Sequence, residues 1–432
     1  MMGNFRSILL AGLLLAFAGG LSYGTTYYVA TNGNDNNPGT QALPWATLQK
    51  AVDTIANGDT ALVQPGTYVG CRIRYGAAAG SPKTIRANGA VLINAPGPLC
   101  RRPSDIEIIS DDFGATPTPY WVIDGFEVTN SPKWGIDGIG GTYITIQNNR
   151  THNNGTSSAC TGIHQAFGDG GLIQNNTSYS NAEHGLYTCN SADNGTVRGN
   201  VFYSNVSLGH HMNGDSKQGG DGIMSGWLVE KNISYLNGSN GFDGDGVITT
   251  TWKNNLAYNN VSKGIHLCQV NGSQQPTSDR VLNNTLVVQV GGYYCLTFYK
   301  GKGKVGGTNN AAINNICYNY DITNSMRGSI MYVSSWMSTF TSDYNVVVDR
   351  FAVDDNRNKY TLAQWRSTYG KDMNSTLCLD ANAIFVNPVG NDWHLKAGSP
   401  AINAGTTLTD VTDDLEGYAR TAPYDCGCYE YH

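Results

Sequence analysis

The sequence predicts an all-β chain, a parallel solenoid of short coils closed at its start by one short helix. Three observations predict it. Of 432 residues, 53 are Gly and 45 are Asn. That surplus suits frequent turns and left-handed backbone and argues against a helical bundle. A pair of asparagines five residues apart recurs at spacings of 23 to 32 residues, the size of one solenoid coil. Each of these units also carries a second strand headed by Gly, as in Gly185-Leu186-Tyr187 and Gly241-Phe242-Asp243.

In chain order, residues 1–24 read as an export leader. Arg6 gives the positive start, Ile8 to Ala18 the apolar stretch and Ser22-Tyr23-Gly24 a small-residue exit. That stretch is too short to span a bilayer and no second one follows, so the mature protein is expected to be soluble and secreted. Residues 25–118 read as a cap and first coils. Residues 44–56 place Leu48, Val52 and Ile55 on one face of a short helix with Pro44 at its start, followed by a strand and turn from Ala61 to Tyr68. Such a cap covers the strand edges that an open solenoid end would expose.

Residues 119–335 hold the repeats. One Asn falls at 149, 176, 200, 232 and 255 and a second at 154, 181, 205, 237 and 260, with weaker copies at Asn284 and Asn315. An aromatic sits between them, as Tyr179, Tyr203, Tyr235 and Tyr258, with His152 in the first copy. Coils stacked about 4.8 Å apart turn each such position into a column, and a column of Asn side chains can bond to itself and to the turn backbone. The Asn-x-Ser/Thr triplets are therefore read as ladder residues rather than glycan acceptors. Residues 336–432, with a helix expected over Leu362 to Tyr369, read as the closing segment.

Composition narrows function. Charged residues are 14% and the net charge is −6, so no basic surface for nucleic acid is legible. Ten cysteines fit an oxidising compartment. Cys426-Gly427-Cys428 has the wrong spacing for a CxxC pair and is read as structural. No feature calls for a partner subunit, so a monomer is expected.

The opening Tyr27-Tyr28-Val29-Ala30-Thr31-Asn32-Gly33-Asn34-Asp35, with Pro38-Gly39-Thr40, Pro44-Trp45 and Pro65-Gly66-Thr67-Tyr68, resembles the entry segment of secreted right-handed parallel β-helix proteins of the pectin-lyase-like superfamily. Ser399-Pro400-Ala401-Ile402-Asn403-Ala404-Gly405 and Asp414-Leu415-Glu416-Gly417 are similar to its closing segment. The resemblance implies a right-handed parallel β-helix and an exported enzyme acting on an acidic polysaccharide. The group includes calcium-dependent pectate lyases, alginate and glycosaminoglycan lyases, C5-epimerases and inverting hydrolases.

Strand side chains alternate faces. If the residue after each Gly points inward, as Ile163, Leu186 and Phe242 require, the next points outward. That outward column reads Asp137, His164, Tyr187, His211, Asp243, His266, and two residues on it reads Ile139, Ala166, Cys189, Asn213, Asp245, Cys268. His210 takes an inward place and is read as a core histidine. Polyuronate elimination needs the carboxylate neutralised, the C5 proton removed and the leaving oxygen protonated. On this reading His211 is the base, Tyr187 its acid partner and Asp243 the orienter, with Lys217 a rival base or carboxylate neutraliser. His164, His184, His266, Asn213 and Asp137 are expected to bind substrate. Asp215, Asp221 and Asp245, with Asp243, could supply the oxygen ligands of a Ca²⁺ ion. Two alternatives stand beside a lyase or epimerase: an inverting hydrolase using Asp243 and Asp245, and a non-catalytic glycan-binding protein using Tyr293, Tyr294 and Tyr299.

Overall fold

The computed structural model describes residues 24–156, 160–301, 307–323, 327–354 and 358–432. The expected leader lies outside the described residues, except for Gly24. Three sheets of 12 strands each form a prism-like coil. Each turn of chain contributes one strand to each sheet in order, as Thr196–Arg198, Val201–Tyr203 and His210–Asn213 do. Neighbouring coils pair in parallel throughout the repeats. The one antiparallel pair in these three sheets, Phe351–Val353 with Asn358–Tyr360, closes the third sheet. Among the described residues no helix is long and apolar enough to cross a membrane.

The register comes from buried amides. Each Asn Nδ2 of the first ladder donates to the next Oδ1, from Asn149 through 176, 200, 232, 255, 284 and 315 to Asn345, at 3.0–3.1 Å. The same amides close turns by donating to backbone carbonyls, as Asn200 does to Ile173 at 2.9 Å. A second ladder runs from Asn154 to Asn260 at 2.9–3.1 Å. The residue before each rung of the first ladder sits in left-handed backbone: Asn148, Asn175, Gly199, Lys231, Asn254, Asn283 and Asn314 have φ of 50° to 63°. This explains the Asn surplus twice over, since one Asn tolerates the turn and the next makes the rung. Between the ladders the aromatic column stacks face to face, with centroids 4.7–5.0 Å apart from His152 to Tyr258.

The cap helix is Leu48–Thr54, shorter than expected. Thr47 caps it by accepting from Lys50 N at 3.1 Å, whereas Pro44 lies in the preceding loop. Leu48, Val52 and Ile55 are buried as expected. The helix Leu362–Tyr369 forms with a capping box from Thr361 and Gln364 and a left-handed Gly370 at its end. Beyond residue 400 the chain folds back along the corner between the first and second sheets. The left-handed residues there hold it: Lys231 pairs with Asp413 at 2.5 Å, Asn254 donates to Asp413 O, Asn314 to Thr406 O and Asn283 to Asp425 O.

Candidate active site

The third sheet carries the outward column in register. Asp137 pairs with His164, His164 with Tyr187, Tyr187 with His211, His211 with Asp243 and Asp243 with His266. Stacking puts the Tyr187 and His211 rings 4.9 Å apart and nearly parallel. His164 lies on the other side of Tyr187, at 5.5 Å. Inward neighbours Ile163, Leu186, Phe242 and Ile265 are buried in the core, so alternation alone turns the polar set to the other face of the sheet. His210 is in the core, with Thr188 Oγ1 3.1 Å from Nε2 and no partner at Nδ1. Burial pushes its pKa down to about 3 and keeps it neutral.

Hydrogen bonds fix where the protons sit. Leu208 N donates to His184 Nδ1 at 3.3 Å, so a neutral His184 carries its proton on Nε2. That nitrogen faces His211 Nδ1 at 3.3 Å. His211 must therefore accept at Nδ1 and hold its own proton on Nε2, which points at Asp243 Oδ1 3.7 Å away. Burial pushes the pKa of His211 down to about 4 and that of His184 well below the usual range, so both rings are neutral. In this tautomer the outward nitrogen of His211 is a donor and its accepting nitrogen faces His184, an arrangement that disfavours the expected role of base.

Asp243 is the group poised to accept a proton. Burial pushes its pKa up to about 7, against a 2.6 Å hydrogen bond from Asn240 Nδ2 and the charge of Lys263. Burial lowers Lys263 in turn, opposed by Asp243. Tyr187 is driven well above the ordinary phenol value, first by burial, and Asn213 Nδ2 donates to its oxygen at 3.1 Å. It is a protonated, partly exposed phenol on this face. His266 sits beyond Asp243, with Nδ1 2.5 Å from Thr297 Oγ1.

Other expected site residues have different work. Asp137 is fully buried: Ser104 Oγ donates to it at 2.9 Å, Arg102 pairs with it at 3.2 Å and His164 Nδ1 meets it at 2.7 Å. With its oxygens so engaged it orients His164 and cannot reach a substrate. Asp245 accepts from the backbone N–H of Val270, Asn271 and Gly272 at 2.7–3.1 Å, so it anchors a turn. Asp215 and Asp221 accept from Lys217 N and Ile223 N within their own loop, where Lys217 is exposed. Among the described residues no three His, Cys, Asp or Glu side chains converge as metal ligands would. The expected acidic residues are thus spent on separate turns, as Asp215, Asp221 and Asp245 show. The three N–H groups on Asp245 engage the second carboxylate that an inverting hydrolysis with Asp243 would need free. Of the aromatic trio, Tyr294 is core, while Tyr293 is exposed.

Sequence reasoning missed Asn240 and Lys263. Both stand three residues before a column member, as do Trp134 and His184, so a column read at that offset would have found them.

A family described as "Pel9A-like, right handed beta helix region" matches residues 27–209, ending just before His211. No curated protein matches the chain. Among solved structures, pectate lyase Pel9A is similar at a TM-score of 0.65 and 19% identity, covering 96% of this chain and 98% of that one. XylC, solved in complex with xylose, is similar at 0.57 and 10% identity, covering 94% and 98%. At such identities the likeness is one of fold. The chain folds as a right-handed parallel β-helix, and its residues 27–209 match the Pel9A-like right-handed β-helix region.

Proposed function

We propose that this protein is a secreted polysaccharide lyase that cleaves a uronate-containing polymer by β-elimination, acting as a monomer in the furrow of the third sheet. The observation that carries the reading is the stack Tyr187–His211–Asp243 on three successive coils. It sets a protonated phenol and a carboxylate of pKa about 7 on either side of a neutral imidazole donor. A sugar held over His211 has Asp243 one coil to one side and Tyr187 one coil to the other, and both side chains must lean inward to reach C5 and the adjacent leaving oxygen.

Asp243 takes the C5 proton, and a base with a pKa near the working pH does so most effectively. His211 Nε2–H and the Lys263 ammonium meet the substrate carboxylate as charge builds on it; a neutral imidazole can serve as such an electrophile. Tyr187 gives its proton to the leaving oxygen. Fold-level likeness to a pectate lyase adds to this reading without naming the sugar.

Incubation with polygalacturonate, alginate, glucuronan and glycosaminoglycans tests it. New ultraviolet-absorbing unsaturated ends support the lyase. Reducing ends without unsaturation, C5 exchange without cleavage, or binding alone would each refute it. Asp243→Asn is expected to lose about a hundredfold or more in kcat, within the range of a general base.

A further inference from the structure

Asn213 ends the His211 strand, one coil along from Cys189. The sequence places it among the substrate-binding residues, yet its side chain is buried and its amide already engaged. Asp215 N, which can only donate, lies 3.1 Å from Oδ1. That contact fixes which end of the amide is oxygen, so Nδ2 is the atom 3.1 Å from the Tyr187 hydroxyl. The phenol oxygen therefore accepts from Asn213, and its single O–H points elsewhere. His211 and His164 pack on the Tyr187 ring at 4.9 and 5.5 Å, and His184 meets it at a steep angle at 5.5 Å, so the ring is held in place. The other polar neighbour of the hydroxyl is the Cys189 thiol, a weaker acceptor than a sugar oxygen. The loop behind Asn213 is tied down as well. Asp215 holds a left-handed φ of 29°. Ser216 N and Oγ donate to Asn271 O at 3.2 and 3.1 Å, and Asn271 N donates to Asp245 Oδ2 at 2.7 Å. The orientation of the amide is thus set by the fold itself.

We propose that Asn213 is a positioning residue that aims the Tyr187 proton: by donating to the phenol oxygen it turns the O–H away from its own loop and toward the leaving oxygen. The inference deepens the lyase reading and rests on it. In the step, the phenol O–H bond breaks as an O–H bond forms on the leaving oxygen. That oxygen parts from its carbon as the electrons of the C5–H bond, whose proton Asp243 takes, become the new double bond. The phenolate left behind keeps the Asn213 Nδ2–H bond, which strengthens as charge appears on the oxygen. Tyr187 is partly exposed, so water returns its proton. The same amide bond opposes the burial that drives the phenol upward, which makes Tyr187 a better acid. Asn213 itself touches no substrate.

The test compares Asn213→Ala, which removes the donor, with Asn213→Asp, which keeps the shape and turns the donor into an acceptor. A carboxylate there still accepts from Asp215 N and draws the Tyr187 O–H to its other oxygen, away from the leaving group. On the polymer that the wild type cleaves, N213A is expected to lose about tenfold in kcat. N213D is expected to lose about a hundredfold, as for loss of a general acid, and KM to stay unchanged in both. A purely structural role gives the reverse order, because Asp is the closer fit. N213D as active as N213A or more so, with Tyr187→Phe inactive, would overturn the aiming role alone. So would a raised KM with kcat unchanged, which would return Asn213 to substrate binding. Tyr187→Phe at the wild-type rate would overturn the acid of the lyase reading and the aiming role with it. Where N213D does not fold, N213A decides, and a wild-type kcat overturns the proposal. Independently of activity, proton spectra of N213D are expected to show a downfield, slowly exchanging phenol proton, since an O–H bonded to a carboxylate is short and charge-assisted. That signal is expected to be absent from wild type and lost on adding Tyr187→Phe. Its absence from N213D would overturn the reversal whatever the substrate.

Discussion

Asn240 offers the sharpest way to decide which group removes the proton. Its Nδ2 lies 2.6 Å from Asp243 Oδ2 and its Oδ1 accepts from Lys263 N. Asn240→Leu keeps the volume and removes the donor. A hydrogen bond to a charged group contributes about 1.5–3 kcal/mol to the ionised form. At about 1.4 kcal/mol per pH unit, its loss raises the carboxyl by about 1–2 units. Because Asp243 must be ionised to act as base, kcat/KM of the wild type is lost as pH falls through about 7. In the variant that limb moves to about 8–9, costing about five- to fiftyfold at pH 7 and little at alkaline pH. The same proton is visible without turnover. A carboxyl raised in the folded state contributes stability that is complete below the unfolded pKa of about 3.9 and is lost as pH rises through the folded one. Asn240→Leu should extend that loss to higher pH in urea midpoints. A variant profile that superimposes on wild type, or shifts to lower pH, would refute the assignment. A wild-type limb near 4 would hand the role to His211.

Two further predictions concern the scaffold. Asp279 stands at a ladder-like position, accepting from Thr250 N at 2.9 Å and donating its own N–H to Asn310 Oδ1 at 3.0 Å. Its Oδ2 has no partner, and burial holds its pKa well above the ordinary value. Asp279→Asn should stabilise the fold at neutral pH, with a gain that grows by about 1.4 kcal/mol per pH unit from about 3.9 up to the raised folded-state pKa; a pH-independent or negative change in urea midpoint would refute this. Asn200→Ala removes the amide that accepts from Asn176 N and Nδ2 and donates to Ile173 O, Arg198 O and Asn232 Oδ1. It should cost about 3–5 kcal/mol in chemical denaturation, and a loss below about 1 kcal/mol would show that the rung is not needed.

The repeats were legible because two strict periods act on them. Stacked amides tolerate no slip between coils, and strand alternation then assigns every residue from Ile136 to Cys268 to one face. Reading from Asn149 and Asn176 therefore brings His211 beside Asp243 before any coordinate is known. What escaped was everything carried by turns. Asn240 and Lys263 sit ahead of the strand, where period two does not apply and nothing in the sequence says which way a side chain leans. Asp245 looked like a free carboxylate because its partners, Val270 N to Gly272 N, belong to the next coil's loop. Asp137 looked substrate-facing because Arg102 and Ser104, which cover it, come from an irregular early coil. The protonation of His211 was invisible for the same reason: it is decided by Leu208 N, a backbone group one turn ahead of the strand.

The architecture also explains why burial, more than opposing charge, tunes this site. Each outward side chain on the third sheet is roofed by its neighbours one coil up and one coil down. His184, His211, His266, Tyr187 and Asp243 are therefore all pushed toward their uncharged forms. A column of neutral groups can still do acid–base chemistry, provided one member lies close enough to neutrality to ionise. Asp243 is that member because Asn240 and Lys263 lean on it from the turns of its own and the next coil. The rungs fix where each group stands, while the turns decide which proton it holds. Substitutions in the ladder should therefore change stability and leave pH dependence alone, whereas substitutions at Asn240 should do the reverse.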